Sequence, residues 1–201
     1  YLYTNNPKVK KIMQVIKQIA PTNIHILISG ETGSGKGSLA DEIFLNSNQQ
    51  SNLYRKINCL ELDIDTLSDI MFGYEDEDDR HVSGYVDALT SSTLFLDEIW
   101  ATTLEFQRKL LDYMLSVDYT TSEDNHPKIR FIFSSSHNLK DEIAKQTFLE
   151  DLYREISTVE LSLLPLRERK EDINMICEGI LSRCNQSYNK ELEFSPQAIK
   201  A

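Results

Sequence analysis

Apolar and polar positions alternate along this chain with two periods, one helical and one of two residues. Asn6-Pro7 reads as an N-cap followed by proline in the first helical turn. Val9, Ile12, Met13, Ile16, Ile19 and Ala20 then recur at helical spacing until Pro21, which predicts a first helix. The apolar run at 24–30 predicts a buried strand, followed by a Gly-rich turn and a helix through Leu39, Ile43 and Phe44. Further strands are expected at 53–59, 92–99, 128–136 and 157–164. Helices are expected at 66–73, 104–115, within 139–154 and from about Lys170, the last with Ile173, Ile176, Ile180 and Leu181 on one face. A polar loop is expected over 120–127. Pro196 reads as the start of a helix that the sequence does not complete, so a longer parent chain is expected.

Strands that alternate with helices predict an α/β fold, a mostly parallel sheet covered on both faces. No internal repeat or low-complexity linker interrupts it. Two hundred and one residues suffice for one full domain with a sizeable core. The net charge of −11 argues against this segment gripping nucleic acid, because phosphate binding draws on Lys and Arg. DNA contact is therefore expected only through a domain outside this segment. No apolar run approaches the roughly 18 residues of a membrane helix, so no membrane partner is expected. Cys59, Cys177 and Cys184 have neither disulfide-framework nor zinc-site spacing and read as small hydrophobes in a reducing cytoplasm.

The strongest chemical signal is "ISGETGSGKG", in which Gly30 and Gly35-Lys36 satisfy G-x-x-x-x-G-K. Backbone N–H groups from Gly30, Glu31, Thr32, Gly33, Ser34 and Gly35 can wrap phosphates, and Lys36 adds a positive charge at the helix start. ATP with Mg²⁺ is the expected ligand. A Ser or Thr normally follows the lysine and holds the metal; here Gly37 follows, with Ser38 one further on. The second half of the site is "TLFLDEI", where Asp97 suits the Mg²⁺ shell and Glu98 suits polarising an attacking water. Both stand at the carboxyl end of a strand, the edge where open α/β sheets bind ligands.

Several stretches in order resemble the AAA+ domain of bacterial sigma-54-dependent transcription activators: the opening helix and phosphate loop, "INCLEL", "TLFLDEI", "FQRKLLDYML" and "FLEDLYREISTVELSLLPLRERKEDI". The resemblance implies a P-loop NTPase three-layer sandwich over 1–168 and the start of a helical lid over 169–201. It makes Gly37 less unusual, since the family typically carries an acid there rather than Ser or Thr. It implies that Asn58 holds Glu98 aside until nucleotide and target engage. It also implies that Ser135 and Ser136 occupy the segment that senses the γ phosphate, and that the partners are copies of the same chain in a ring, usually a hexamer, and RNA polymerase carrying sigma-54.

Two departures qualify this. The family's arginine fingers lie in F-R-x-D-L-x-x-R, whereas "FLEDLYRE" places Leu149 and Glu155 at those positions and Arg154 one residue early. A one-residue shift turns a helical side chain by about 100°. The family's sigma-54-gripping loop, GAFTGA, is replaced by the shorter, acidic "DEDDRHVS". Glu75 to Asp79 lack the spacing of a calcium loop and read as a solvated, self-repelling loop, with partner docking as the alternative. Three functions therefore stay open: an ATP-binding regulator with weakened hydrolysis and no normal sigma-54 contact, an ATPase that remodels sigma-54 polymerase, and an ATPase with another protein target and Arg154 as a relocated finger.

Overall fold

The structure, a computed structural model, describes residues 4–48, 53–89, 92–117, 129–195 and 197–198. The polar loop expected over 120–127 and the helix start expected at Pro196 lie outside the described residues. The first helix, α1 (Pro7–Ile19), begins where Asn6 Oδ1 accepts the Lys8 and Val9 N–H groups. Its C-terminal carbonyls, which lack helical partners, are met by a buried cation. Arg130, 1% exposed, donates to Ala20 O at 2.6 Å and to Ile19 O and Ile24 O at 3.4 Å.

Five strands, β1 (Ile26–Ser29), β2 (Tyr54–Asn58), β5 (Thr93–Asp97), β6 (Arg130–Ser135) and β7 (Glu160–Ser162), form one sheet in the order β2-β5-β6-β1-β7. Every pairing in it is parallel. The two-residue period distributes the core into two layers. Ile26, Ile28, Phe95 and Ile132 pack on one face with Val9 and Ile16 of α1 and with Leu39 and Ile43 of α2 (Lys36–Leu45). Leu27, Leu94, Leu96, Phe131 and Phe133 face the other side. They meet α3 (Ile64–Phe72), α4 (Tyr85–Ala88), α5 (Leu104–Ser116), α6 (Leu139–Ala144) and α7 (Glu150–Ile156). The result is the three-layer α/β sandwich expected.

Three details differ from the sequence reading. The helix expected at 66–73 starts earlier, because Asp63 caps it by accepting Thr66 N at 2.9 Å. The last helix, α8 (Ile173–Tyr188), follows two short 3-10 turns and has no buried residue. Of the cysteines only Cys59 is buried, and burial first, then Asp97 and Glu98, pushes its thiol up to about 12.

The acidic run forms the turn of a solvent-exposed hairpin. β3 (Tyr74–Glu75) pairs antiparallel with β4 (His81–Val82). Asp76 organises the turn by accepting the Asp78 and Arg80 N–H groups, each at 2.9 Å. Arg80 closes it with Nε on Asp76 at 3.0 Å and Nη2 on Asp78 at 2.7 Å. These bonds, the Arg80 N–H foremost, hold the Asp76 carboxyl below the usual range. At the base two backbones touch: a Cβ on Gly73 (φ +81°) would lie 2.2 Å from Val82 O, and one on Gly84 would lie 2.3 Å from Gly73 N. The self-repulsion expected of five acids is offset by a cation and a turn that their sequence order conceals.

Candidate nucleotide site

The phosphate loop leaves the carboxyl end of β1 at Gly30 and enters α2 at Gly35. A Cβ on Gly30 would stand 2.8 Å from Leu163 O and 2.9 Å from Ser34 Oγ, so only glycine lets the loop pass β7's exit. Gly35 (φ 95°) stands at the N-cap and supplies no side-chain cap, which leaves the N–H groups of the first turn of α2 available to an anion. Thr32, Gly33 and Ser38 are exposed. Gly37 has Phe95 Cε1 3.9 Å from where a Cβ would sit, so the missing side chain is not excluded by space.

Lys36 is 6% exposed and donates to Gly30 O at 3.0 Å and Glu31 O at 3.3 Å. Its Nζ also lies 2.9 Å from Glu98 Oε1. Glu98 sits in the left-handed region (φ 59°, ψ 51°), an uncommon conformation for a residue with a side chain and one that clusters at functional sites. Its N–H donates to Ser134 Oγ at 3.0 Å. Its Oε2 accepts three bonds: Trp100 Nε1 at 2.7 Å, Ser136 N at 2.8 Å and Ser136 Oγ at 2.7 Å. Burial pushes this carboxyl up, but the Ser136 hydroxyl, Lys36 and the Ser136 N–H together outweigh it and hold the acid below its ordinary value.

Asp97 is half-buried, and the Ser134 hydroxyl donates to its Oδ1. Its neighbour in the sheet is Asn58. The Asn58 side chain does not reach Glu98, however. Its Nδ2 donates to Glu61 Oε1 at 2.8 Å and its Oδ1 accepts Leu60 N at 3.0 Å. The expected Asn58–Glu98 pairing is therefore replaced by a local turn.

Of the two serines expected in the γ-phosphate sensor segment, Ser136 bonds Glu98 and Ser135 does not bond either acid. Ser134 serves Asp97 and Ser136 serves Glu98. Ser135 points the other way across the pleat and donates to His137 O at 2.6 Å. Arg154, on α7, is exposed and paired with Glu150 of its own helix at 2.6 Å. Leu149, at the first finger position, packs against the core as the N-cap of α7.

The stretch after β7 holds the loop from outside. Arg167 grips Glu31 with both guanidinium ends, at 2.5 and 2.6 Å, which lowers the carboxyl and raises the guanidinium. Arg169, 2% exposed, donates to Ser34 O, and its Nη1 lies 3.9 Å from the fully buried Asp172. Both arginines thus form ion pairs, with Glu31 and Asp172. Trp100 and Ser134 were missed. The cue for the first is that a lone tryptophan stands two residues after the acid pair.

A cleft of about 450 Å³ opens beside the loop, lined by Gly30, Glu31, Ser135, Ser136, His137 and Tyr153. A larger depression, about 1140 Å³, lies between α8 and residues 189–194 and contains no residue of the phosphate loop. The residues present fit a nucleoside triphosphate: a buried ammonium, an uncapped helix start, and the Ser34 hydroxyl buried without a partner. For Mg²⁺ the fit is sparse. Among the described residues no three His, Cys, Asp or Glu side chains converge as a metal cage, so Asp97 would hold the ion together with phosphate oxygens and water.

A parallel sheet with a glycine loop after β1 and an acid pair closing β5 defines a P-loop NTPase of the AAA+ type. The P-loop NTPase domain of the Escherichia coli sigma-54 transport activator shares this fold at a TM-score of 0.56 and 17% identity, over 79% of this chain and 95% of that one. The family model for the sigma-54 interaction domain matches residues 2–162, and the chain belongs to that family, the AAA+ domains of sigma-54-dependent transcription regulators. The Nif-specific regulatory protein of Klebsiella pneumoniae is 30% identical over 202 residues, 97% of this chain and 38% of its own length. The C4-dicarboxylate transport regulator DctD of Rhizobium meliloti is 30% identical over 100% of this chain and 45% of its own. This chain thus spans less than half the length of those relatives. NtrX from Brucella abortus in complex with ADP superposes at a TM-score of 0.82 with 26% identity, covering 98% of this chain and 45% of that one. Among the described residues no helix is long and apolar enough to cross a membrane.

Proposed function

We propose that this domain binds ATP with Mg²⁺ and uses the nucleotide to set assembly with copies of itself within a longer transcription regulator, with weakened hydrolysis and without the family's usual grip on sigma-54. The observation that carries the nucleotide reading is the buried Lys36 at the open start of α2, paired with Glu98 where phosphate oxygens would compete for it. Glycines and N–H groups from Gly30 to Gly35 would cradle the phosphates, Asp97 would hold the metal together with phosphate oxygens and water, and Glu98 would orient the attacking water. Ser134 fixes Asp97. NtrX structures with ADP and with ATP support the ligand class.

Weakened hydrolysis is supported by Leu149 and Glu155 at the finger positions. Loss of the usual sigma-54 contact is supported by the acidic hairpin that stands in place of the family's gripping loop, with Asp76, Asp78 and Arg80 paired at its tip. The division near Glu168 follows the passage from β7 through the 3-10 turns into α8. DNA contact falls to a domain outside this segment.

A second reading has one observation behind it: Arg154 is exposed on α7, where a neighbouring copy can meet it, so the domain would be an active ATPase on another target. Sedimentation with and without Mg·ATP, alongside phosphate release, tests the pair. ATP-driven assembly with slow release supports the first. Fast release that disappears in Arg154→Ala supports the second. Stable capture of sigma-54 in a trapped transition-state complex overturns both in favour of the ordinary remodelling motor.

A further inference from the structure

We propose that Trp100 is a positioning residue for this site: with Ser136 it latches Glu98 onto Lys36 in the nucleotide-free protein, and nucleotide binding releases the latch. The inference rests on the nucleotide reading above. Glu98 Oε2 already accepts from three donors and Oε1 from Lys36, so in this state protein donors hold the carboxylate at both oxygens. Lys36 must exchange Glu98 for a phosphate oxygen before it can serve a nucleotide. That exchange strips Glu98 of its cation among the described residues and frees Oε1.

The indole cannot follow a moving carboxylate. Trp100 stands on the 3-10 turn Ile99–Ala101, and its ring lies flat on His137, with centroids 3.6 Å apart and planes 9° apart. His137 Nδ1 in turn faces Glu142 Oε1 at 3.2 Å, and Lys145 and Thr147 anchor Glu142. The N–H is therefore aimed by the connection between β6 and α6, not by the loop that binds phosphate. Asn58, committed to Glu61, does not supply this restraint, and Trp100 with Ser136 does.

Trp100 is the only tryptophan in the chain, so intrinsic emission reads the latch directly. The emission of the wild-type protein is expected to change on titration with Mg·ATP, with a midpoint that matches the calorimetric Kd. Trp100→Phe keeps a ring for the stack and loses the N–H; it should bind ATP roughly fivefold to tenfold more tightly, the net weight of about one ordinary hydrogen bond. Ser136→Ala should shift affinity in the same direction. Glu98→Ala, which removes the acceptor, should bring the free protein's emission toward the ATP-bound value while calorimetry still registers ATP. A residue that served only packing would give weaker or unchanged binding when replaced. ATP heat with no emission change, together with wild-type affinity in Trp100→Phe and Ser136→Ala, overturns the latch and leaves the nucleotide reading standing. No ATP heat from the wild-type protein overturns the nucleotide reading and the latch with it.

Discussion

Lys36 Nζ and Glu98 Oε1 lie 2.9 Å apart, and their side chains are 6% and 8% exposed. Two charges so buried are tolerable because each satisfies the other. Lys36→Ala removes the cation but leaves Glu98 its bonds from Trp100 and Ser136. Unfolding in urea should therefore show a loss of about 2–4 kcal/mol, at or below the range for breaking a buried pair. Glu98→Gln, which stays hydrogen-bonded, should cost less.

The hairpin gives a sharp contrast between base and tip. Gly73→Ala forces a Cβ against Val82 O, a backbone atom that cannot turn aside, and should destabilise the domain by about 2 kcal/mol or more. Asp78→Ala removes one exposed partner of Arg80 and should leave the melting temperature almost unchanged. Equal effects of the two substitutions would mean that the glycine contact does not constrain the turn.

His25 carries a pH dependence of known sign. Burial first, then Arg130, lowers its pKa from 6.5 to about 4, against a backbone hydrogen bond with Phe131 that raises it. The unfolded chain thus binds a proton that the folded one refuses between those values. Stability is fully present above pH 6.5 and falls as pH drops toward 4, by about 3 kcal/mol from this group. Urea midpoints across that range should fall more steeply for the wild-type protein than for His25→Gln.

Finger restoration tests the hydrolysis account. Leu149→Arg with Glu155→Arg should raise phosphate release by about tenfold or more at concentrations that assemble the protein, a modest share of what such arginines contribute. Arg154→Ala, by contrast, should change the basal rate by less than about threefold, since finger loss of the usual size would exceed that. A collapse of turnover in Arg154→Ala would assign the finger to that residue.

Most of the fold was legible because its signals are local. Asn6-Pro7 announces α1, and the runs around Leu94–Leu96 and Phe131–Phe133 are too apolar to be anything but buried strands. The phosphate loop and the acid pair declare themselves by spacing. What stayed hidden depends on parity and on distant partners. Three consecutive serines give no alternation, so nothing in the sequence says that Ser134 and Ser136, rather than Ser135, face the acids; the pairing of Ser134 with Ile28 and Ser135 with Ser29 decides it. Two-residue strands are too short to show a period, and the acids between them masked the hairpin. Asn58 lost its expected partner to Glu61, three residues away, because a turn bond forms at little entropic cost. Trp100 reaches Glu98 only through a left-handed residue and a 3-10 turn, a geometry no periodicity encodes.

The central claim is that Lys36 at the start of α2 holds the phosphates of ATP. Isothermal titration of Mg·ATP into the wild-type domain and into Lys36→Ala addresses it most directly, with the variant's fold checked by circular dichroism. Saturable one-site heat for the wild-type protein and none for the folded variant is the predicted result. Equal affinity in the two proteins would contradict it.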